Sequence, residues 1–251
     1  MWSWFGKTDV GQKRENNQDC FKAETLKSCD LLCVVCDGMG GAAGGNTASS
    51  IASEAFFEYV DKNIENTEEN DICTLLNDAL ADANTQVYEK AKNDKELLGM
   101  GTTICAVLVH ESKLYCLSVG DSRIYLVKEN LLSRLSHDHS FVQTLVDSGQ
   151  ISEQEARVHP NRNIITKAVG TERSVEGDIF VLNENCADKI LICSDGLCGY
   201  VEDEETSRLL SEANSCESAV CALVDKANDM GGFDNITVIV MERKHDDTEN
   251  S

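Results

Sequence analysis

Residues 31–41 read LLCVVCDGMGG, an apolar, strand-like run that reaches Asp37 and then turns rich in glycine. Two other aspartates share this context, because Asp195 follows a second apolar run and Asp234 precedes a third. A carboxylate at the end of a buried strand carries a desolvation cost unless a cation balances its charge. Three such aspartates, far apart in sequence, predict a single hard-metal site that the fold assembles.

The segments around these aspartates predict an α+β protein. Runs rich in Val, Ile, Leu and Cys, bounded by turn residues, predict strands at 30–36, 102–110, 113–119, 122–127, 178–182, 189–193 and 235–241. Helical periodicity predicts helices at 47–63, 72–93, 204–213 and 216–230. Hairpin strands interrupted by helix pairs do not fit the β-α alternation of a parallel sheet. They fit antiparallel sheets covered by helices.

Between residues 136 and 170 the chain becomes polar and holds three of the five histidines and the only proline. Long excursions of this kind are often binding or lid segments. His137 and His139 do not have the i, i+4 spacing of helical zinc ligands. A helix N-cap is therefore the role we expect for Asp138 or Ser140.

Composition limits the classes of partner. The chain has 251 residues, 41% of them hydrophobic, which fits one domain over residues 1–243 and a disordered tail over 244–251. The formal charge of −22 argues against a nucleic acid or an anionic membrane as partner. Neither a transmembrane stretch nor a signal peptide is evident, so we expect a cytoplasmic protein, with a monomer as the default.

The twelve cysteines are scattered through apolar runs. Free cysteine in such runs behaves as a small hydrophobe, which favours buried structural thiols. Cys33 and Cys36 form a C-x-x-C pair, but residues three apart on a strand point to opposite faces. A shared zinc ion is therefore not expected at this pair.

Further polar motifs accompany the three aspartates. The segment 11–19 contains Arg14, whose planar fork suits a phosphate dianion, and Asp19, which could hold metal-bound water. Alone, this segment is typical of a solvated loop. Asp121 stands at a strand break and by itself would be a turn residue. For residues 37–41 a phosphate-cradling loop is a rival interpretation, although the Gly-x-x-x-x-Gly-Lys-Ser/Thr pattern is absent.

Taken together, these motifs resemble the metal-dependent type 2C (PPM-type) protein serine/threonine phosphatases in their compact bacterial form. The similarity extends over about residues 5–241 and depends on eight motifs in a fixed order. They are the segments 11–19, 37–41, 101–103, 120–123, 138–140, 159–163, 194–197 and 234–237.

The resemblance implies a four-layer α-β-β-α sandwich, with two central antiparallel sheets, helix pairs on both outer faces and a flap over 136–170. It also implies a centre of two Mn²⁺ or Mg²⁺ ions. Asp37 would bridge the ions and the Gly38 carbonyl would ligate one of them. Asp195 and Asp234 would complete the other. Asp121 would hold a third, weaker ion, because Gly199 stands where some relatives carry an additional acid.

The implied reaction is hydrolysis of phosphoserine and phosphothreonine in proteins by a metal-activated water, without a phospho-enzyme. Arg14 would clamp the phosphate and Asp19 would hold metal-bound water. Met39 occupies the position of a proton-donating His in many eukaryotic members, so a metal-bound water would act as the acid. Expected partners are phosphoproteins, including a serine/threonine protein kinase and its targets.

Two other functions remain open at this point. A pseudophosphatase would keep the fold and signal by contact, which loss of Asp37, Asp195 or Asp234 would favour. A phosphatase acting on an anti-anti-sigma protein usually carries sensor or membrane domains and no equivalent of Arg14. Since all three aspartates and Arg14 are present, the sequence favours a general protein phosphatase.

Overall fold

The computed structural model describes residues 1–244, apart from the side chains of residues 42 and 43. Within that range the chain forms eleven strands and seven α-helices. The strands are β1 (Trp2–Asp9), β2 (Asp19–Thr25), β3 (Leu31–Met39), β4 (Gly101–Thr102), β5 (Ile104–His110), β6 (Lys113–Val119), β7 (Arg123–Lys128), β8 (Leu131–Arg134), β9 (Asp178–Asn183), β10 (Lys189–Cys193) and β11 (Ile236–Arg243). The helices are α1 (Gly41–Asn63), α2 (Ile72–Asn93), α3 (Phe141–Asp147), α4 (Glu153–Arg157), α5 (Asp195–Cys198), α6 (Asp203–Glu212) and α7 (Cys216–Asp229).

The strands form two antiparallel sheets, which confirms the predicted sandwich. One sheet has the order β1-β11-β10-β7-β8, and the other has the order β2-β3-β5-β6-β9 with β4 paired to β3. One apolar core lies between the sheets, a second lies under α1 and α2, and a third lies under α6 and α7. The layers are therefore helix pair, sheet, sheet and helix pair.

The apolar run of β3 is continuous because both faces of this strand are covered. Cys33 and Val35 pack into the core between the sheets. Val34 and Cys36 point the other way, into the core under α1 and α2. Side chains alternate between faces along a strand, so a strand between two layers needs apolar residues at every position. The expectation that Cys33 and Cys36 face opposite ways is confirmed.

Three strands were not predicted, and all three lie at sheet edges. β1 pairs only with β11, β2 only with β3, and β8 only with β7. Edge strands are half exposed and mix polar with apolar residues, so they give no continuous apolar run. The interpretation of residues 11–19 as a solvated loop is wrong at its end, because Asp19 begins β2 and is only 7% exposed.

The segment 136–170 holds the short helices α3 and α4. Ser140 is the N-cap of α3, where its hydroxyl accepts a hydrogen bond from the Gln143 backbone N–H. Asp138 does not cap this helix. Its buried carboxylate instead accepts hydrogen bonds from Arg123, with Nη2 2.7 Å from Oδ2. Aspartate competes well for a cap, but a nearby guanidinium offers a stronger charge-assisted contact.

Two predictions concern the ends and surface of the chain. The predicted tail lies outside the described residues from position 245 onward, while the Lys244 backbone N–H donates to the Met1 carbonyl. Among residues 1–244, every helix is too short or too polar to cross a bilayer.

Candidate metal centre

A cleft of about 650 Å³ opens where the ends of β3, β10 and β11 meet. The side chains that line it include the predicted site residues Arg14, Asp37, Asp121, Asp195 and Asp234, together with the backbone of Gly38. They come from five separate parts of the chain. The fold therefore brings together four of the five acids that the sequence analysis singled out, while Asp19 is not among the residues that line the cleft.

Asp37 and Asp19 lie directly opposite each other on β3 and β2. Two threonines fix the backbone around Asp37. The Asp37 N–H donates to the Thr103 hydroxyl at 2.9 Å, and the Asp37 carbonyl accepts from the Thr102 hydroxyl at 2.8 Å. Because its backbone is held on both sides, the Asp37 carboxylate enters the cleft from a rigid strand end.

Asp19 is held from the opposite sheet. The Ser194 hydroxyl donates to Asp19 Oδ2 at 2.7 Å and accepts from the Thr237 N–H at 2.9 Å. The other oxygen, Asp19 Oδ1, is buried without a hydrogen-bond partner. A buried carboxylate oxygen with no partner is costly, and a metal-bound water or a cation is the kind of group that satisfies it.

Asp195 and Asp234 reach the cleft from neighbouring strands of the first sheet. Asp195 begins α5 immediately after β10, and Asp234 stands two residues before β11. Arg14 Nη2 forms a salt bridge with Asp234 Oδ2 at 2.8 Å. Half of the Arg14 side chain remains exposed. A guanidinium has five N–H donors, so Arg14 can contact Asp234 and still bind an anion in the cleft.

The acids of the cleft raise one another's pKa values. Burial, and then the carboxylate of Asp19, raise the pKa of Asp37 well above its ordinary value. Burial raises the pKa of Asp19 to about 7, and burial together with Asp234 raises that of Asp195 to about 6. Burial and the charge of Asp195 also raise the pKa of Asp121. The site thus holds more negative charge than its own cations neutralise.

The chemistry of these residues fits divalent metal ions, although their side chains are not arranged as a ready ligand cluster. Within residues 1–244, no group of three His, Cys, Asp or Glu side chains is arranged to hold an ion as it stands. One of the acids, Asp234, is engaged instead in the salt bridge with Arg14. The unpartnered Asp19 oxygen, the raised pKa values of Asp19 and Asp37 and the all-oxygen ligand set all suit Mg²⁺ or Mn²⁺.

Gly38 is required at the end of β3. A Cβ atom on this residue would lie 2.0 Å from the Gly45 carbonyl oxygen and 2.6 Å from that of Gln18. The strand end therefore packs directly against the backbone of α1 and of the loop before β2. Any larger residue would push this backbone out of the cleft.

Asn235 is a site residue to which the sequence analysis assigned no role. Its buried amide donates to the carbonyls of Val10 and Asn16 at 2.9 and 3.0 Å, and it accepts from the Gln18 N–H at 2.8 Å. These three bonds tie the loop that carries Arg14 to the strand end that carries Asp234. A polar amide directly before the buried strand β11 was the available signal, because such a group needs partners.

We expect Asn235→Ala to reduce the free energy of unfolding by about 3 kcal/mol, since three buried hydrogen bonds are lost. Chemical denaturation of the metal-free protein measures this change. Asn235→Asp is the matched variant, because it keeps the acceptor for Gln18 and loses both donors. Equal stability of wild type and Asn235→Ala would contradict the role of Asn235 as the tie.

The metal-free protein should lose stability as the pH rises through about 6 to 7. The folded-state pKa values of Asp195 and Asp19 are raised to about 6 and about 7, so the folded state binds more protons than the unfolded chain below those values. With chelator, we expect a melting temperature about 5 °C lower at pH 8 than at pH 5.5.

Added Mn²⁺ should remove most of this difference, because the cation replaces the protons. Asp19→Asn should flatten the pH dependence in chelator. Calorimetry at the two pH values, with chelator and with Mn²⁺, measures both effects. A metal-free protein that melts at the same temperature at both pH values would show that these acids are not buried together.

Comparison with known proteins supports the assignment that the cleft suggests. The family model described as Protein phosphatase 2C matches residues 9–227. The serine/threonine phosphatase stp of Listeria welshimeri is 36% identical over 237 residues, which cover 94% of each chain. The crystal structure of the serine/threonine phosphatase Stp1 from Staphylococcus aureus superposes with a TM-score of 0.90 at 36% identity, covering 98% of this chain and 96% of that one.

A second solved structure, of the catalytic domain of the serine/threonine protein phosphatase PstP in complex with two manganese ions, superposes with a TM-score of 0.84 at 31% identity. It covers 96% of this chain and 97% of that one. The family match covers most of the chain, and both full-length similarities are above 30% identity. The chain belongs to the protein phosphatase 2C family of metal-dependent enzymes and is a protein serine/threonine phosphatase.

Proposed function

We propose that the protein hydrolyses phosphoserine and phosphothreonine in proteins at a centre of two Mn²⁺ or Mg²⁺ ions, by attack of water and without a phospho-enzyme. The observation that carries this proposal is the convergence of four aspartates and one arginine in a single cleft. Asp37 would bridge the ions, the Gly38 carbonyl would ligate one of them, and Asp195 and Asp234 would complete the other. When bound, such ions lower the pKa of water and supply hydroxide near neutral pH.

The chain's own residues bind and orient the substrate. Arg14 is half exposed on the cleft wall, where its free N–H groups can donate to phosphate oxygens. Asp19 lies opposite Asp37 with one oxygen unpartnered, so it can accept a proton or a hydrogen bond from water in the cleft. Charge that develops on the phosphoryl oxygens is then met by the Arg14 guanidinium.

Asp121 is the candidate ligand for a third and weaker ion. It lines the same cleft as Asp37 and Asp195, and burial together with the charge of Asp195 raises its pKa. Gly199 supplies no side-chain oxygen beside it. Weak binding of the third ion therefore stays a prediction, which a Mn²⁺ titration with three equally tight sites would contradict.

The flap over 136–170 is proposed to contact the substrate protein, because Asn163 and Ile165 line the cleft opposite the sheets. A serine/threonine protein kinase and its targets are the proposed phosphoprotein partners. A cytoplasmic location and a monomeric state stay predictions from the sequence.

The test is hydrolysis of a phosphothreonine peptide by the purified protein with Mn²⁺, with Mg²⁺ and with chelator. Phosphate release with either ion, abolished by chelator, is the expected result. A parallel assay with a phosphoserine peptide tests the second substrate. Hydrolysis that continues unchanged in chelator would overturn the proposed centre, and release with only one ion would identify the metal.

A further inference from the structure

Two aromatic side chains form a ledge beside the cleft. One of them, Tyr200, lines an adjoining cavity that shares Asp121, Asn163 and Asp195 with the cleft. The rings of Tyr200 and Phe233 are stacked, with centroids 5.4 Å apart and planes 25° apart. Phe233 is 50% exposed. A Cβ atom on Gly231 would lie 2.3 Å from the Phe233 ring, so this ring packs directly on backbone and is held in place. Below we call this pair the Tyr200–Phe233 ledge.

The ledge adjoins the catalytic acids. Phe233 is covalently bonded to Asp234, whose carboxylate lines the cleft. Tyr200 follows α5, the short helix that begins with Asp195. Burial raises the pKa of the Tyr200 hydroxyl, and the charges of Asp195 and Asp234 raise it further. Arg162 of the flap lies over the Tyr200 ring at 5.2 Å and donates to its hydroxyl at 3.3 Å. The ledge therefore joins the flap to the strand ends.

The position of the ledge beside the cleft indicates which part of a bound substrate protein would contact it. In the proposed function, the phosphorylated residue enters the cleft, and its neighbours in the substrate chain follow at about 3.8 Å per residue. Residues one or two positions away must then lie on the rim. Phe233 is one residue from a cleft aspartate, so a flanking residue of the substrate falls within reach of the ledge.

Charge decides the chemistry of that flanking residue. The Arg162 guanidinium on Tyr200 repels a second cation. Asp234 beside Phe233, and Glu202 and Asp203 just after Tyr200, disfavour an anion, and the arginines near them, Arg14 and Arg157, are already paired with these acids. A stacked aromatic pair with one exposed ring, that of Phe233, gains most by binding an apolar group. We propose that the Tyr200–Phe233 ledge binds a large apolar side chain next to the phosphorylated residue of the substrate protein, an inference that rests on the proposed phosphatase function.

The experiment compares phosphothreonine peptides that differ only in the residues on both sides of the phosphothreonine. One peptide carries leucine there, a second glycine, a third lysine and a fourth glutamate. With Mn²⁺, we expect kcat/KM of the wild type to be about tenfold higher for the leucine peptide than for the glycine peptide. The lysine and glutamate peptides should not exceed the glycine peptide.

Phe233→Ala should bring the ratio of leucine to glycine peptide close to one. The ratio is the readout because disturbance of the neighbouring Asp234 would slow both peptides equally and leave it unchanged. Tyr200→Ala should also lower the ratio, whereas Tyr200→Phe, which loses only the hydroxyl, should keep it. Leu131→Ala, which removes a 74% exposed apolar side chain on β8, is the matched control and should keep the ratio near ten.

Each outcome of the peptide assay either supports or overturns the proposed role of the Tyr200–Phe233 ledge. A wild type without preference for leucine, a preference for lysine or glutamate, or a Phe233→Ala enzyme that keeps the full ratio would overturn the ledge. In any of these cases the peptides are still hydrolysed, so the phosphatase function stands. If the wild type hydrolyses none of the four peptides with Mn²⁺ or Mg²⁺, the proposed function fails first and the ledge fails with it.

Discussion

Asp37→Asn should lower kcat on a phosphothreonine peptide by at least about 10³-fold, because it removes the carboxylate proposed to bridge the two ions. The change keeps the size of the side chain and its place at the end of β3. The Thr102 and Thr103 hydrogen bonds go to the Asp37 backbone and are retained. Loss of charge is therefore the only large change in the cleft.

Stability separates this effect from misfolding. Because burial and then the neighbouring carboxylates raise the pKa of Asp37, its charge opposes folding of the metal-free protein. In chelator, Asp37→Asn should melt at the same temperature as the wild type or higher, while stabilisation by Mn²⁺ should shrink. Asp61→Asn on α1 is the matched control and should keep full activity, since Asp61 only pairs with exposed Lys27. An active Asp37→Asn enzyme would refute the proposed centre.

Arg14→Ala should lower kcat/KM by about 10²-fold, because a charge-assisted contact with the substrate phosphate is lost. The loss should be similar for phosphopeptides with different flanking residues, since Arg14 addresses the phosphate. Arg14→Lys should recover only part of the activity, because an ammonium group cannot contact Asp234 and a phosphate with one planar fork. Steady-state kinetics with Mn²⁺ measure both variants.

Arg208→Ala is the control for removal of an arginine. Arg208 lies on α6 and pairs with Glu205 and Glu212 on the protein surface. Its removal should leave kcat/KM unchanged within error. If Arg14→Ala retained wild-type kcat/KM on phosphopeptides, another group would have to bind the phosphate, and Lys13 on the same cleft wall would be the next candidate.

The sequence predicted the buried part of the fold well and the edges poorly. The ranges of β6, β10 and α2 match their predicted bounds, because their apolar patterns run from end to end. β1, β2 and β8 were not predicted. Each is an edge strand with a hydrogen-bonded neighbour on one side only, and its sequence mixes polar with apolar residues. For β1 the register with β11 is decided by a strand more than two hundred residues away, which no local pattern encodes.

Some residues of the candidate site could likewise be recognised from the sequence, and others only from the structure. The aspartates at strand ends could be recognised in the sequence as acids beside apolar runs. A carboxylate in such a place carries a desolvation cost unless a cation balances its charge. The sequence showed a polar amide at Asn235 but not its partners, because these are backbone groups of Val10, Asn16 and Gln18 that any sequence would offer. The Tyr200–Phe233 ledge was also hidden, since single exposed aromatics are unremarkable until two of them stack.

By itself, the sequence predicted which side chains would carry the chemistry, because carboxylates, a guanidinium and glycines stand out beside apolar runs. Only the tertiary structure decided how they meet. It placed Asp19 opposite Asp37 and left one Asp19 oxygen without a partner. It also joined Arg14 to Asp234 and set an aromatic ledge beside them. The reason is physical: these relations are distances between residues far apart in the chain, and packing of the two sheets fixes them.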